Sequence, residues 1–374
     1  MKVLQVGKYY YPEKGGIETV MFDITEGMNK RGISCDVLCA NTTNRYELTE
    51  INGYKVHRAA RAAKLLSTSI SPDYVRLLKK IVGQYDIIHV HLPDPLANLA
   101  LFRSNLEGKK VIVHWHSDIV NAKQMLVLPL YRPLQNWLLK RAEAIVCTTK
   151  PYMDASTELS QFVDKCVIIP IGIDVSHFQS DDDKLLAEMT HKFHGKKVVF
   201  SLGRHVYYKG FEHLIRAAAL LDDNTVILIG GEGQLTPAYR LLIKELGLDN
   251  KVFLVGRIPQ DQLSAYFRLC KVFCLPSNKR SEAFGVVLLE AMFYGKPIVA
   301  TNIEGSGVNW VNQHGVTGLN ANIEDAVSLA NQITRLISDQ QLYDQCAGNA
   351  QVRYQTYFTA DKMVGSFIEL YENH

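Results

Sequence analysis

Two glutamates eight positions apart, Glu282 and Glu290, flank the turn Phe284-Gly285 in Ser281-Glu-Ala-Phe-Gly-Val-Val-Leu-Leu-Glu-Ala291. The run after the turn reads as a helix through Tyr294, with Glu282 in the loop ahead of it and Glu290 inside it. The backbone N–H groups of Phe284, Gly285 and Val286 then stand unpaired at the helix start, where orphan amides and the positive dipole end favour an anion. One carboxylate beside an anion cradle and another two turns deeper suit a ligand with a phosphate end and a hydroxyl-rich end. A nucleotide sugar is such a ligand. An amphipathic helix with an acidic first turn would show the same spacing, so the pair has to be read with its neighbours.

Those neighbours are other loops that follow strand-like runs, which is where open parallel sheets bind ligands. After Lys197–Gly203 come Arg204 and Lys209, then Gly210 and a helix from Phe211. A guanidinium fork and an ammonium point charge suit a diphosphate. After Val226–Ile229 comes Gly230-Gly231-Glu232-Gly233, a turn that lets backbone approach a ligand closely. After Val252–Leu254 come Val255-Gly256-Arg257-Ile258, where exposed backbone can pair with a base edge. In the first half, Gly15 and Gly16 precede a helix, but not in the G-x-G-x-x-G pattern of a dinucleotide site. His116, at a strand end in His116-Ser-Asp118, can hydrogen-bond a sugar hydroxyl. His89, His91 and His114 alternate along strands and read as structural. No Asp-x-Asp occurs outside Asp181–Asp183, so Arg204 and Lys209 are expected to replace a metal in neutralising a leaving group.

The elements that must position these residues are short β-rich runs alternating with helices, the mark of α/β folds with parallel sheets. The first series of strands is Lys2–Gly7, Cys35–Ala40, Tyr54–His57, Asp86–His91, Lys110–His116 and Ala144–Thr148. Helices at Glu18–Lys30, Asp73–Val82, Pro95–Arg103 and Leu134–Arg141 lie between them. The second series is Lys197–Gly203, Thr225–Gly230, Lys251–Gly256, Lys271–Leu275 and Pro297–Ala300. The reading is therefore two doubly wound parallel sheets. They are joined after Cys166–Pro170 through Ile171–Asp174 and Ser180–Asp183, which read as turn and linker. Beyond Ile323 the chain reads as helical. The expected domains are 1–172, 173–355 and a tail, 356–374, returning to the first domain.

Bulk properties agree with a globular chain. The sequence has 374 residues, too many for one ordinary core. It is 47% hydrophobic and 21% charged, and no apolar run is long enough to span a bilayer. The start, Met1-Lys-Val-Leu-Gln-Val-Gly7, reads as a strand and not as a signal peptide. Seven scattered cysteines, mostly in apolar runs, read as buried thiols of a reducing cytoplasm. Residues 1–172 carry 22 Lys and Arg against 16 Asp and Glu, and the rest carry 19 against 22. A basic first half suggests an anionic partner, although solvated helix faces account for it equally well.

Taken in order along nearly the whole chain, these motifs resemble a retaining glycosyltransferase of the GT-B fold, in family 4, which includes bacterial mannosyl- and glucosyltransferases. The rhamnosyl- and mannosyltransferases of O-antigen and exopolysaccharide synthesis are similar in Ser67–Pro72 and Gly7–Pro12. The resemblance implies two facing Rossmann-like sheet domains with a cleft between them and a C-terminal helix crossing back. It implies a nucleotide-sugar donor, first choice GDP-mannose with UDP-sugars open, and a saccharide or polyprenyl-diphosphate-linked acceptor. No metal cofactor is implied. His116, Arg204, Lys209 and Glu282 would be catalytic: His116 on the transferred sugar, Arg204 and Lys209 on the diphosphate, Glu282 near the sugar. Gly15 and Gly16 would border the donor, as would Gly203, Gly231, Glu232 and Ala283. The amides of Phe284, Gly285 and Val286 would touch sugar and phosphate oxygens, Glu290 the ribose, and Arg257 and Ile258 the base.

Met125–Arg141, with Leu, Tyr and Trp beside Arg132, Lys140 and Arg141, has the pattern of an interfacial helix. Lys79, Lys80, Arg58, Arg61 and Lys64 can extend its charge toward an anionic inner membrane. A helix buried in the first domain explains the same residues. The expected location is the cytoplasm, peripheral on the inner membrane face if that helix docks. Among rivals, an epimerase needs acid and base groups around the sugar, and a pyridoxal-type phosphorylase needs a Schiff-base lysine that no segment argues for. A non-catalytic nucleotide-binding module would not need both glutamates and both cations. Nucleic acid is disfavoured, because basic residues do not interleave with aromatics.

Overall fold

The computed structural model describes residues 1–13, 15–65, 68–119, 128–176 and 183–373. Ser67, Met125 to Val127 and Ser180 to Asp182, which figure in the motifs above, lie outside the described residues. The chain divides into two compact units, Met1–Gly172 with Ala360–His374, and Ile173–Thr359.

The first unit is built on an eight-stranded sheet in the order β10-β9-β8-β7-β1-β2-β4-β3. Its strands are β1 (Lys2–Val6), β2 (Ser34–Ala40), β3 (Glu47–Ile51), β4 (Tyr54–Ala59), β7 (Ile87–Leu92), β8 (Lys110–Trp115), β9 (Ala144–Cys147) and β10 (Cys166–Ile168). A separate two-stranded ribbon pairs β5 (Ala63–Leu65) with β6 (Thr68–Ile70). The central strands run parallel and are buried on both faces, which is why β7 reads as an unbroken Ile-Ile-His-Val-His-Leu.

The expectation of a purely parallel sheet is corrected at one edge, where β3 pairs antiparallel with β4. The turn is Asn52-Gly53, with φ of 47° and 89°, the left-handed pair that a two-residue hairpin requires. Helices begin where side chains take up their orphan amides: Ser71 Oγ accepts from Tyr74 N, Asp94 from Leu96 N and Thr149 from Tyr152 N. The last helix, Ala360–Asn373, packs on the first, Gly16–Lys30. A Cβ on Gly27 would come within 2.5 Å of Val364 Cγ2, so only glycine permits this approach. The helix expected at Leu134–Arg141 starts earlier, at Leu128, with Pro133 inside it and Leu130 exposed.

The second unit has a six-stranded parallel sheet in the order β13-β12-β11-β14-β15-β16. Its strands are β11 (Lys197–Leu202), β12 (Thr225–Gly230), β13 (Val252–Gly256), β14 (Val272–Leu275), β15 (Ile298–Thr301) and β16 (Gly318–Ala321). Its core interleaves these strands with the helices Phe211–Ala218 and Ala326–Ser338, through Val199, Phe211, Ile215, Ile227, Leu329 and Ile333. Among the parallel strands of each sheet the order reverses direction once, between β1 and β7 in the first and between β11 and β14 in the second. Loops leaving the carboxyl ends on either side of such a reversal splay apart and leave a crevice. Among the described residues, no helix is long and apolar enough to cross a membrane.

Candidate active-site loops

In the second unit the loops after β11, β12, β13 and β14 are fastened to one another. Gly203 N donates to Gly230 O at 3.1 Å, His205 N to Glu232 O at 3.0 Å and Gly231 N to Gly256 O at 2.7 Å. On the other side of the reversal, Asn278 N donates to Tyr208 O at 2.9 Å. Glycines make this stitching sterically feasible. Gly231 sits at φ 109°, and a Cβ there would lie 1.9 Å from Gly203 O. Gly210, at φ 63°, would place a Cβ 2.2 Å from Pro276 O.

The stitching brings Lys209 to Glu282. Lys209 Nζ lies 2.5 Å from Glu282 Oε2, and the two side chains are 12% and 11% exposed. Ser277 Oγ donates to the same oxygen at 2.8 Å, and Ser306 Oγ donates to the Glu282 carbonyl at 2.5 Å. Lys209 therefore does not stand as an isolated cation. It is one half of a shielded ion pair that spends one of its three donors on Glu282. Arg204 keeps its charge free of any acid among the described residues. It is exposed, and Nη2 donates to Tyr208 OH at 3.2 Å.

Glu290 lies in the helix Val287–Phe293, after the left-handed Gly285 at φ 78°. Its Oε2 is shielded from solvent and has no hydrogen-bond partner among the described residues. Burial pushes the carboxyl up to about 8, because loss of water around this half-buried group favours its neutral form. The amides of Phe284, Gly285 and Val286 likewise have no partner among the described residues. Gly307 N donates to Ala283 O at 2.8 Å and so ties this turn to the loop after β15. Glu232 and Arg257 are exposed, and Ile258 packs against Gly230.

In the first unit Gly15 caps the helix Gly16–Lys30 in an extended conformation, and a Cβ on Gly16 would meet nothing within 4 Å. His116 follows β8 directly. Its N–H donates to Leu92 O at 3.0 Å. The following turn is held through Asp118, whose Oδ1 accepts from Trp115 Nε1 at 2.9 Å and from Ser156 Oγ at 2.7 Å. His116 sits on a ladder of buried imidazoles that spacing alone did not reveal. The His114 and His116 rings stack at 3.9 Å, His91 and His116 at 5.2 Å, and His89 and His91 at 4.7 Å. His91 Nδ1 is 2.9 Å from His116 Nε2, and His91 Nε2 is 2.8 Å from Gln5 Oε1. Burial holds His89 and His116 down to about 3 and His91 and His114 well below the ordinary value, so all four are neutral near pH 7.

Nitrogens of His89, His91 and His114 come within 4.8 Å of one another, as in a metal trio. However, the rings of His89 and His91 are inclined by only 16° and those of His89 and His114 by 19°. Their in-plane lone pairs therefore run side by side instead of meeting at one point, and both His91 nitrogens are already occupied.

Of the residues singled out in the sequence, Gly203, Gly231, Glu232, Lys209, Ile258, Ala283 and Glu282 are joined within the second unit through the contacts above. Gly15, Gly16 and His116 belong to the first unit. Sequence reading missed Ser277, Ser306 and Tyr208, single polar residues with no spacing pattern. It also passed over Gln5 and His91, though the paired His-x-His runs in β7 and at 114–116 were visible.

Known proteins share this organisation. Residues 14–177 match the family described as Glycosyltransferase Family 4, and residues 183–353 match Glycosyl transferases group 1. The chain is 31% identical to the O-antigen chain mannosyltransferase C of Escherichia coli, covering 99% of this chain and 98% of that one. It is 32% identical to D-rhamnosyltransferase WbpZ of Pseudomonas aeruginosa, covering 96% and 93%. Sucrose-phosphate synthase from Thermosynechococcus elongatus superposes with a TM-score of 0.81 at 21% identity, over 100% of this chain and 99% of that one. Anabaena HepE in complex with UDP and glucose gives 0.80 at 20%, with both chains fully covered. These two structures speak for the fold. With both halves matched and two relatives above 30% identity along their length, the chain belongs to glycosyltransferase family 4 and is a glycosyltransferase of the GT-B fold.

Proposed function

We propose that this enzyme transfers a hexose, mannose from GDP-mannose as first choice, to a saccharide or polyprenyl-diphosphate-linked acceptor in bacterial surface polysaccharide synthesis, with retention at the anomeric carbon. The observation that carries the reading is the Lys209–Glu282–Ser277 cluster at the carboxyl ends of β11 and β14, next to the amides of Phe284–Val286, which have no partner among the described residues. The mannosyl and rhamnosyl relatives support the choice of sugar. A UDP-sugar is the second reading, supported by HepE, a neighbour solved with UDP and with UDP-glucose.

In this reading Arg204, Lys209 and the turn amides hold the donor diphosphate and stabilise the charge that grows on the departing phosphate, which is preorganised electrostatic catalysis. Glu282 keeps Lys209 aimed and lies near the sugar. Glu290 takes the ribose hydroxyls, which supply the donors its carboxyl lacks. Arg257 and Ile258 border the base, with Glu232 and Gly231 beside them. Gly16 and His116 are assigned to the donor phosphates and the transferred sugar. The glycosidic C–O bond loosens into an oxocarbenium-like state while the acceptor hydroxyl enters on the same face, and the leaving phosphate takes its proton. No covalent glycosyl-enzyme is assigned, because double displacement needs a second carboxyl across the bond. Positioned cations do the work that a metal would otherwise do.

The helix Leu128–Arg141 presents exposed Leu130, with Phe102 against Trp137 at 5.0 Å. This apolar edge beside Arg132 and Lys140 supports peripheral contact with anionic lipid. Flotation with anionic and neutral liposomes tests it, and no binding at low salt ends it. The transfer itself is tested by supplying GDP-mannose and UDP-glucose in turn with a lipid-linked saccharide acceptor and reading the product by proton NMR. An inverted anomeric centre, or hydrolysis without transfer, would contradict the proposal.

A further inference from the structure

Gln5, His91 and His116 form a continuous buried chain across three neighbouring strands or their ends. Gln5 is on β1, His91 on β7, and His116 just past β8, with exposures of 0%, 1% and 6%. Each neutral imidazole has one N–H and one bare nitrogen. In the observed orientation of the Gln5 amide, Oε1 faces His91 Nε2 at 2.8 Å and can only accept, so that nitrogen carries the hydrogen. His91 Nδ1 is then bare and must accept, so His116 Nε2, 2.9 Å away, carries the hydrogen of the second bond. His116 Nδ1 is then left without a hydrogen, and the side-chain hydrogen bond of His116 among the described residues is made through Nε2.

We propose that His91, anchored by Gln5, is a positioning residue that fixes the tautomer and plane of His116, so that His116 presents Nδ1 as a hydrogen-bond acceptor to a hydroxyl of the transferred sugar. The sugar contact rests on the function proposed above; the tautomer lock does not. Chemistry of this kind needs the lock. A free imidazole divides between two tautomers, and only one of them can accept a hydroxyl hydrogen at Nδ1. Stacking against His114 at 3.9 Å restrains ring rotation, and burial keeps a second proton off the ring. The surrounding imidazoles act in the same direction: His89 is held by Tyr371 OH at 2.5 Å and covered by Phe367.

The test is proton–nitrogen correlation across the imidazole rings of the full chain, labelled at histidine, with the His116 signal identified by its loss in His116→Asn. The wild type is expected to show a single His116 species, hydrogen on Nε2 and Nδ1 bare. His91→Phe, and independently Gln5→Met, which keeps the bulk of Gln5, are expected to populate both tautomers. Should His91→Phe fail to fold, Gln5→Met carries the test alone. A His116 already mixed in the wild type, or unchanged in the folded variants, overturns the proposal.

Kinetics with GDP-mannose, or whichever nucleotide sugar the wild type turns over, supply a second reading. Gln5→Met and His91→Phe should lower kcat by about tenfold or more, since a misplaced imidazole hydrogen disables the ring. KM should stay within about twofold, and His91→Asn, whose amide can still partner His116, should recover part of the loss. A change confined to KM would overturn the positioning role. If His116→Asn turns over like the wild type while the tautomer result holds, the lock stands and the sugar contact in the proposed function fails.

Discussion

The parallel strands of each sheet reverse their order once, and the residues at the two reversals follow opposite chemistry. At β1 and β7 the first unit places neutral imidazoles and an amide in full burial, linked by hydrogen bonds that orient them. At β11 and β14 the second unit places an ammonium and a carboxylate 2.5 Å apart, shielded but near the surface. Burial explains the difference. A charge taken out of water is costly unless paired, so groups deep in the first sheet stay neutral while the second keeps its ions at the rim. One unit is suited to orient hydroxyls and the other to receive phosphate charge.

The largest effect is expected at Lys209. Lys209→Ala should lower kcat by roughly 100-fold or more, the usual cost of one preorganised charge-stabilising donor. It should also lower stability by up to about 3 kcal/mol, because Glu282 is left unpaired in a shielded place. Adding Glu282→Gln should restore the melting temperature and not the turnover. If the double variant is as unstable as the single one, the pairing argument fails.

Arg204→Ala sharpens the contrast. It should lower turnover by about 10- to 100-fold with no change in melting temperature, since the side chain is exposed and, among the described residues, bonds only Tyr208 OH. Equal activity of the purified variant and wild type would remove Arg204 from the diphosphate.

Glu290 gives a pH signature. Its folded pKa, about 8, lies above the ordinary carboxyl value. The group therefore opposes folding increasingly as pH rises from its unfolded value, near 4.5, to about 8. Glu290→Gln should raise the melting temperature at pH 8.5 and leave it unchanged at pH 4. Ribose hydroxyls donating to the carboxylate would favour its charged form, so nucleotide binding at pH 7 should release a proton. Calorimetry in buffers of different ionisation enthalpy measures this, and no proton release contradicts the ribose assignment. The smallest effect is expected at Gly16. There is room for the methyl of Gly16→Ala, so the melting temperature should not move, and only donor affinity should weaken.

Much of this was legible in the sequence, for identifiable reasons. Strands buried on both faces, such as Ile87–Leu92, announce themselves as unbroken apolar runs, and the loops after them follow from the fold. The Lys209–Glu282 pair was not legible, because it joins residues 73 apart through a strand order that no local pattern encodes. The antiparallel edge was legible and passed over: Ile51-Asn-Gly-Tyr54 is a hairpin turn signal. The imidazole ladder was visible as alternating histidines, but period two says only that side chains share a face. That His91 reaches His116 depends on the register of β7 against β8.

The most direct measurement of the central claim is nucleotide affinity by calorimetry, comparing GDP, UDP and the corresponding monophosphates on the wild type and on Arg204→Ala/Lys209→Ala. The account predicts that a diphosphate binds the wild type much more tightly than its monophosphate, and that the double variant loses this preference. A wild type that binds both equally, or a double variant that keeps the preference, would contradict it.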